Sequence, residues 1–237
     1  MQTTLPEKKT LPIKTTSFST YLILALAAGS LLLGGLLIIA TANTWLPQLS
    51  QTLQGDQPHA YWYISRASGV CAYLLLWLSM FFGLLLSNRM TQLWLGGATA
   101  YDLHEYTSLL GLGFIGIHLL ILLGDHYIQP SIWQLLLPFG MSGYQQIWVG
   151  LGQISFYLLV LVTVTFYIRK RLPGQLWRAV HYASFGAYGM ALWHSVASGS
   201  DSSNPVLVSL YIGSALSLVI MFVYRILEAR KPAKAQR

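Results

Sequence analysis

Two stretches decide the fold: 103–118, LHEYTSLLGLGFIGIH, and 181–194, HYASFGAYGMALWH. Each is an apolar run with a histidine toward either end. His104 and His118 are fourteen residues apart, and His181 and His194 are thirteen apart. An ionisable side chain at membrane depth is costly and marks a functional site with a partner. Two helices carrying histidines in this way are suited to hold two flat metal cofactors, one above the other.

Working outward, the whole chain has a membrane composition. Only 9% of its 237 residues are charged and 54% are hydrophobic, with a mean hydropathy of +0.54. Six apolar runs, near 21–42, 61–87, 103–124, 147–168, 177–198 and 206–227, reach the roughly 20 residues that a transmembrane helix needs. No segment shows the period-2 alternation of a membrane barrel, which leaves a helical bundle as the spanning solution. The expected fold is an all-α integral membrane protein, a six-transmembrane-helix bundle. Ala40-Thr41-Ala42 imitates a signal-peptidase site. The apolar run before it exceeds the roughly 7–15 residues of a signal peptide, so this first run reads as a retained helix. Residues 1–20 then form a basic tail, 21–227 the six-helix domain and 228–237 a second basic tail.

Charge sets the expected orientation. Lys8, Lys9 and Lys14 precede the first run and Arg89 follows the second. Arg169, Lys170, Arg171 and Arg178 join the fourth to the fifth, and Arg225, Arg230, Lys231, Lys234 and Arg237 close the chain. All thirteen fall on one side of a six-span arrangement, while the opposite loops carry Asp56, Asp125 and Asp201 and no lysine or arginine. The positive-inside rule makes both termini cytoplasmic, in a multi-pass protein of the plasma (cell inner) membrane. The net charge of +7 follows from this topology and from anionic lipid; nucleic-acid binding is not needed to explain it. Cys71 is the single cysteine and reads as a buried thiol. The chain has no Cys-x-x-Cys-His for covalent haem attachment.

The tails are too short to fold into a flavin or nicotinamide domain, and no glycine-rich phosphate loop is present. An electron source, a flavoprotein or a membrane quinol, is therefore expected to be separate. The outer loops are 43–60 and 125–146. The second, with Pro130, Ser131, an apolar stretch, Pro138 and Gly140, predicts a short interfacial helix and a turn, a lid over the outer end of the bundle.

With both termini inside, runs 103–124 and 177–198 are parallel, which puts His104 level with His181 and His118 level with His194. At 1.5 Å per residue the two levels lie roughly 20 Å apart, within a hydrocarbon core about 30 Å thick. Fourteen residues return to within about 40° on a helix, so His104 and His118 share a face; thirteen leave His194 about 140° from His181. Small residues separate the histidines: Gly111, Gly113 and Gly116 in one run, Ala183, Gly186, Ala187 and Gly189 in the other. They suit clearance for a planar macrocycle, and equally close helix packing. Neutral imidazole is a strong iron ligand, and two imidazoles on one iron leave no open position, which favours electron transfer. The competing reading is a histidine proton relay or transporter.

Arg66 lies five residues into run 61–87, at the outer level. A haem propionate would supply the anion that a buried guanidinium requires; snorkelling to outer headgroups is the alternative. Arg178 and Arg89 read as topology charges that are also near enough to serve inner propionates. His59 and His126, near Asp56 and Asp125, read as solvated loop residues, with gathering of a metal cation as the other possibility. Asp102 and Glu105 flank His104 at the cytoplasmic edge. Phe114, Phe185 and Tyr188 lie between the histidine levels and are explained by aromatic packing.

The stretch WYISRASGVCAYLLLWLSMFFGLLLS (62–87), the histidine pairs, LWRAVHYASFGAYGMALWHS (176–195), PFGMSGYQQIWVGLG (138–152) and GSD (199–201) together resemble the ferric reductase-like transmembrane domain superfamily. That superfamily includes ferric reductases, NADPH oxidases and the haem-binding membrane subunit of the periplasmic methionine sulfoxide reductase system. The resemblance covers roughly 60–227. It implies two b-type haems, with His104/His181 and His118/His194 as axial ligands of the iron, and electron flow from the cytoplasmic side outward. Two features depart from the pattern. No flavin and NADPH domain follows the last run, and all four histidines are present where sulfoxide-reductase membrane subunits often lack an inner ligand. The leading expectation is a di-haem electron conduit, the electron-transfer subunit of an oxidoreductase, with an outer-face acceptor protein or metal ion. A membrane-anchor cytochrome subunit of a larger redox complex is the alternative, and a histidine-based transporter a third.

Overall fold

The computed structural model describes residues 60–88, 96–199 and 202–229, all within one compact unit, Gln57–Arg237. The run at 21–42, both tails, Asp56, His59, Arg89 and Asp201 lie outside the described residues. Within them the chain is all-helical: α1 (Ala60–Ser87), α2 (Gly97–Ile121), the short α3 (Ile132–Leu136), α4 (Gln146–Tyr167), α5 (Gly174–Ser198) and α6 (Pro205–Ala229). The five long helices match five of the six apolar runs. The largest difference is α2, which starts at Gly97 rather than near 103, because the helix continues through 97–102, ahead of the apolar run. Gly96, at φ 74, makes the left-handed entry that glycine tolerates.

Among the described residues four helices are long and apolar enough to cross a membrane: Ala60–Ser87, Gly97–Gly124, Gln146–Tyr167 and Pro205–Leu227. Helix α5, at 25 residues, has the length, but Gln175, Arg178, His181 and His194 dilute its hydropathy. Of these, His181 and His194 are half-buried and meet the histidines of α2, whereas Gln175 and Arg178 are exposed.

Side-chain contacts give the packing directions. His104 meets Ser79 and His118 meets Ser65, so α1 and α2 are antiparallel. His194 meets Trp148 and Ser155 meets Ala187, so α4 and α5 are antiparallel. Tyr73 bonds Ser214 and Trp77 bonds Ser217, which sets α6 parallel to α1. The core is the seam among α1, α5 and α6, where Tyr73, Leu76, Tyr188, Tyr211, Leu218 and Met221 are buried together. Tyr73 hydrogen-bonds both Tyr188 (2.8 Å) and Ser214 (2.6 Å). Its hydroxyl is therefore satisfied at a depth where an unpaired one is costly.

Candidate functional site

The four histidines come together as two pairs. The ring centres of His104 and His181 are 6.1 Å apart with planes at 77°; those of His118 and His194 are 6.1 Å apart at 75°. Two imidazoles facing one metal ion through nitrogen–metal bonds of about 2 Å have ring centres about 6 Å apart. The observed spacing is that of a T-shaped ring contact, and it also suits two imidazoles that share one ion. Both pairs join α2 to α5, and the order of pairing makes these helices parallel.

The backing of the rings is equally specific. His104 Nδ1 lies 2.8 Å from the Ser79 carbonyl, His118 Nδ1 2.8 Å from that of Ser65, and His194 Nδ1 3.0 Å from that of Trp148. In each case Nδ1–H donates, which selects the tautomer whose Nε2 carries the free lone pair. Close approach to a helix backbone requires a missing side chain. A Cβ at Gly69 would stand 3.0 Å from His118 Nδ1, one at Gly83 3.2 Å from His104 Cε1, and one at Gly152 2.8 Å from His194 Nδ1. Each glycine follows its carbonyl residue by four positions: Ser65/Gly69, Ser79/Gly83 and Trp148/Gly152. Reading the sequence alone overlooked these residues, although a signal was present. The two Ser-x-x-x-Gly units of α1 are fourteen residues apart, the same interval as His104 and His118 on the antiparallel partner.

The glycines between the histidines divide. A Cβ at Gly111 would contact Leu75 of α1, whereas one at Gly113, Gly116, Gly186 or Gly189 would meet nothing within 4 Å. Only the first is a packing glycine. Around the outer pair lies a cavity of about 1400 Å³ of atom-free space, part of it open, whose lining includes Arg66, His118, Tyr144, Gly152, His194 and Tyr211. Arg66 thus faces the outer level, its guanidinium 4.2 Å above the Trp62 ring. Arg178 is exposed.

The loop 125–145 and α3 form one wall of the cavity, through Ile128, Leu135, Met141 and Tyr144. Ser131 and Gln134 form a capping box that starts α3. Buried Gln153 of α4 donates to the carbonyls of Gln134 and Leu135 and accepts from Phe139 N–H. Tyr144 donates to the Ser198 carbonyl at the end of α5. Asp125 is 4% exposed, and its carboxylate accepts the N–H groups of Tyr127 and Ile128. Among the described residues no three His, Cys, Asp or Glu side chains cluster as a metal site. Glu105 accepts from Tyr167 Oη, and Cys71 is a free, half-buried thiol. No family model, curated protein or solved structure matches the chain.

Proposed function

We propose that this chain is a di-haem b-type transmembrane cytochrome, carrying electrons from a cytoplasmic-side donor to an acceptor on the outer face. The observation that carries the reading is the pair of 6.1 Å histidine couples, each able to offer two imidazole nitrogens to one ion. Haem, when bound, supplies one-electron chemistry that no side chain here supplies. His104 and His181 hold the inner group, and His118 and His194 the outer. Two imidazoles on one iron would leave no open position, which would favour electron transfer at the site. Ser65, Ser79 and Trp148 orient the ligands through their carbonyls. Arg66 pairs with an outer propionate, and the loop 125–145 covers part of the outer cavity.

In this reading the protein spans a plasma membrane six times with both termini cytoplasmic. The run at 21–42 and α5 complete the set. The exposed basic turn Arg169–Arg171 is then cytoplasmic, as the positive-inside rule asks. The donor is a separate flavoprotein or quinol, with flavin or quinone bound at the inner side, and the acceptor is a protein or metal ion. The chain then serves as the haem-bearing, ferric reductase-like subunit of an oxidoreductase.

The test is a reduced-minus-oxidised spectrum of the purified full-length protein, with haem quantified per chain. Two low-spin b-type haems are expected. Absence of haem after haem-supplemented expression overturns the reading.

A further inference from the structure

Resting on the two-haem reading, we propose that Trp177 is the positioning residue for His181. It holds that ligand by stacking, without the hydrogen bond that fixes the other three, and so makes the inner pair asymmetric. His104, His118 and His194 each meet a backbone carbonyl through Nδ1 at 2.8–3.0 Å. His181 does not. Its Nδ1 and the Trp177 Nε1 are both buried without a hydrogen-bond partner among the described residues.

The cause is the thirteen-residue interval. Ala187 precedes His194 by seven residues, nearly two turns, and so shares its face; that face meets Ser155 of α4. Tyr188 follows His181 by seven and shares the other face, which meets Tyr73 of α1. Helix α5 therefore turns His194 toward α4 and its Trp148 carbonyl, and turns His181 away from α4. On α1 the carbonyl at the inner level, Ser79, is already taken by His104. What backs His181 is Trp177, one turn earlier, with ring centres 5.3 Å apart and planes at 23°. A stacked indole fixes the plane of an imidazole but accepts no proton from it.

The consequence is directional. A hydrogen bond from Nδ1–H to a carbonyl raises the basicity of the ligating nitrogen and stabilises the oxidised metal. The outer pair has two such bonds and the inner pair one, so His181 is the weakest donor of the four. The inner haem is correspondingly the one whose potential can be lowered by supplying an acceptor.

The experiment uses the full-length, haem-loaded protein in lipid nanodiscs, with haem counted per chain and a potentiometric titration followed by EPR. His104→Ala removes the inner signal and identifies the outer one. Trp177→Phe keeps the stack and should retain two haems at wild-type potentials. Trp177→Gln places an amide oxygen one turn from His181 and should lower the inner-haem potential alone. Trp177→Ala should lose inner-haem occupancy while the outer haem stays full. Three results overturn the proposal: a Trp177→Ala protein with wild-type inner haem, a Trp177→Phe protein as depleted as the alanine variant, or changes that reach the outer haem equally. A wild-type protein that binds no haem instead refutes the two-haem reading, before any Trp177 variant is compared.

Discussion

Gly152 illustrates how little room the ligands have. A Cβ there would lie 2.8 Å from both Cγ and Nδ1 of His194, inside any real contact distance, and the ring cannot retreat without leaving the Trp148 carbonyl. Gly152→Ala is therefore expected to remove the outer haem and spare the inner. At Gly69 the nearest approach is 3.0 Å and at Gly83 3.2 Å, so Gly69→Ala should deplete the outer site partly and Gly83→Ala the inner site least. Haem per chain across the three variants checks this order; equal losses would show that packing in general, not the ring contacts, is responsible. The histidines give a coarser version of the same test. His118→Ala should remove the outer haem selectively and His181→Ala the inner, each read from the spectrum of the haem that remains.

Among the elements, the lid is the part with the most to lose from one substitution. Gln153 alone satisfies two carbonyls and one N–H of the lid backbone. It also holds Phe139, whose φ of 62° is strained for an aromatic residue by about 1–3 kcal/mol. Removing the amide leaves buried polar groups unpaired, at about 1–3 kcal/mol each. Gln153→Leu is expected to lower the thermal midpoint and to expose 138–143 to limited proteolysis, with α4 itself intact; unchanged protease resistance would refute the anchoring role. On the α1–α5–α6 seam, Tyr73→Phe deletes the bonds to Tyr188 and Ser214 and should lower stability by about 1–3 kcal/mol. It should keep the haem count near its wild-type value, because Tyr73 lines the outer cavity but bonds and stacks with Tyr188, Ser214 and Tyr211, not with a histidine.

At the scale of the whole molecule the six-span topology makes one accessible claim. His126, in the loop 125–145, and Lys170, in the basic turn after α4, are both exposed, and the proposed topology puts them on opposite sides of the membrane. In a Cys71→Ser background, an impermeant maleimide applied to intact cells should label His126→Cys and not Lys170→Cys. Labelling of both, or the reverse pattern, would sink the proposed orientation.

The sequence by itself determined the helices, because twenty-odd apolar residues in a row have only one way to satisfy their backbone in lipid. It also singled out the four histidines, since a buried ionisable residue stands out in such a run. The short helix at 132–136 was legible from Ser131 and the flanking prolines for the same local reason. Hydropathy did not show where α2 begins, because apolarity reports environment and a helix can extend beyond the apolar run it carries. The tertiary structure alone decided which histidine meets which, and with what backing. The fourteen-residue Ser-x-x-x-Gly repeat of α1 acquires meaning only against the antiparallel His104 and His118. The thirteen-residue interval of α5, awkward for two ligands on one face, is resolved by two neighbours: α4 receives His194, while His181 turns away and leans on Trp177. Periodicity fixes the angle between two side chains on one helix, but the direction in which that angle points depends on what the rest of the bundle packs against it.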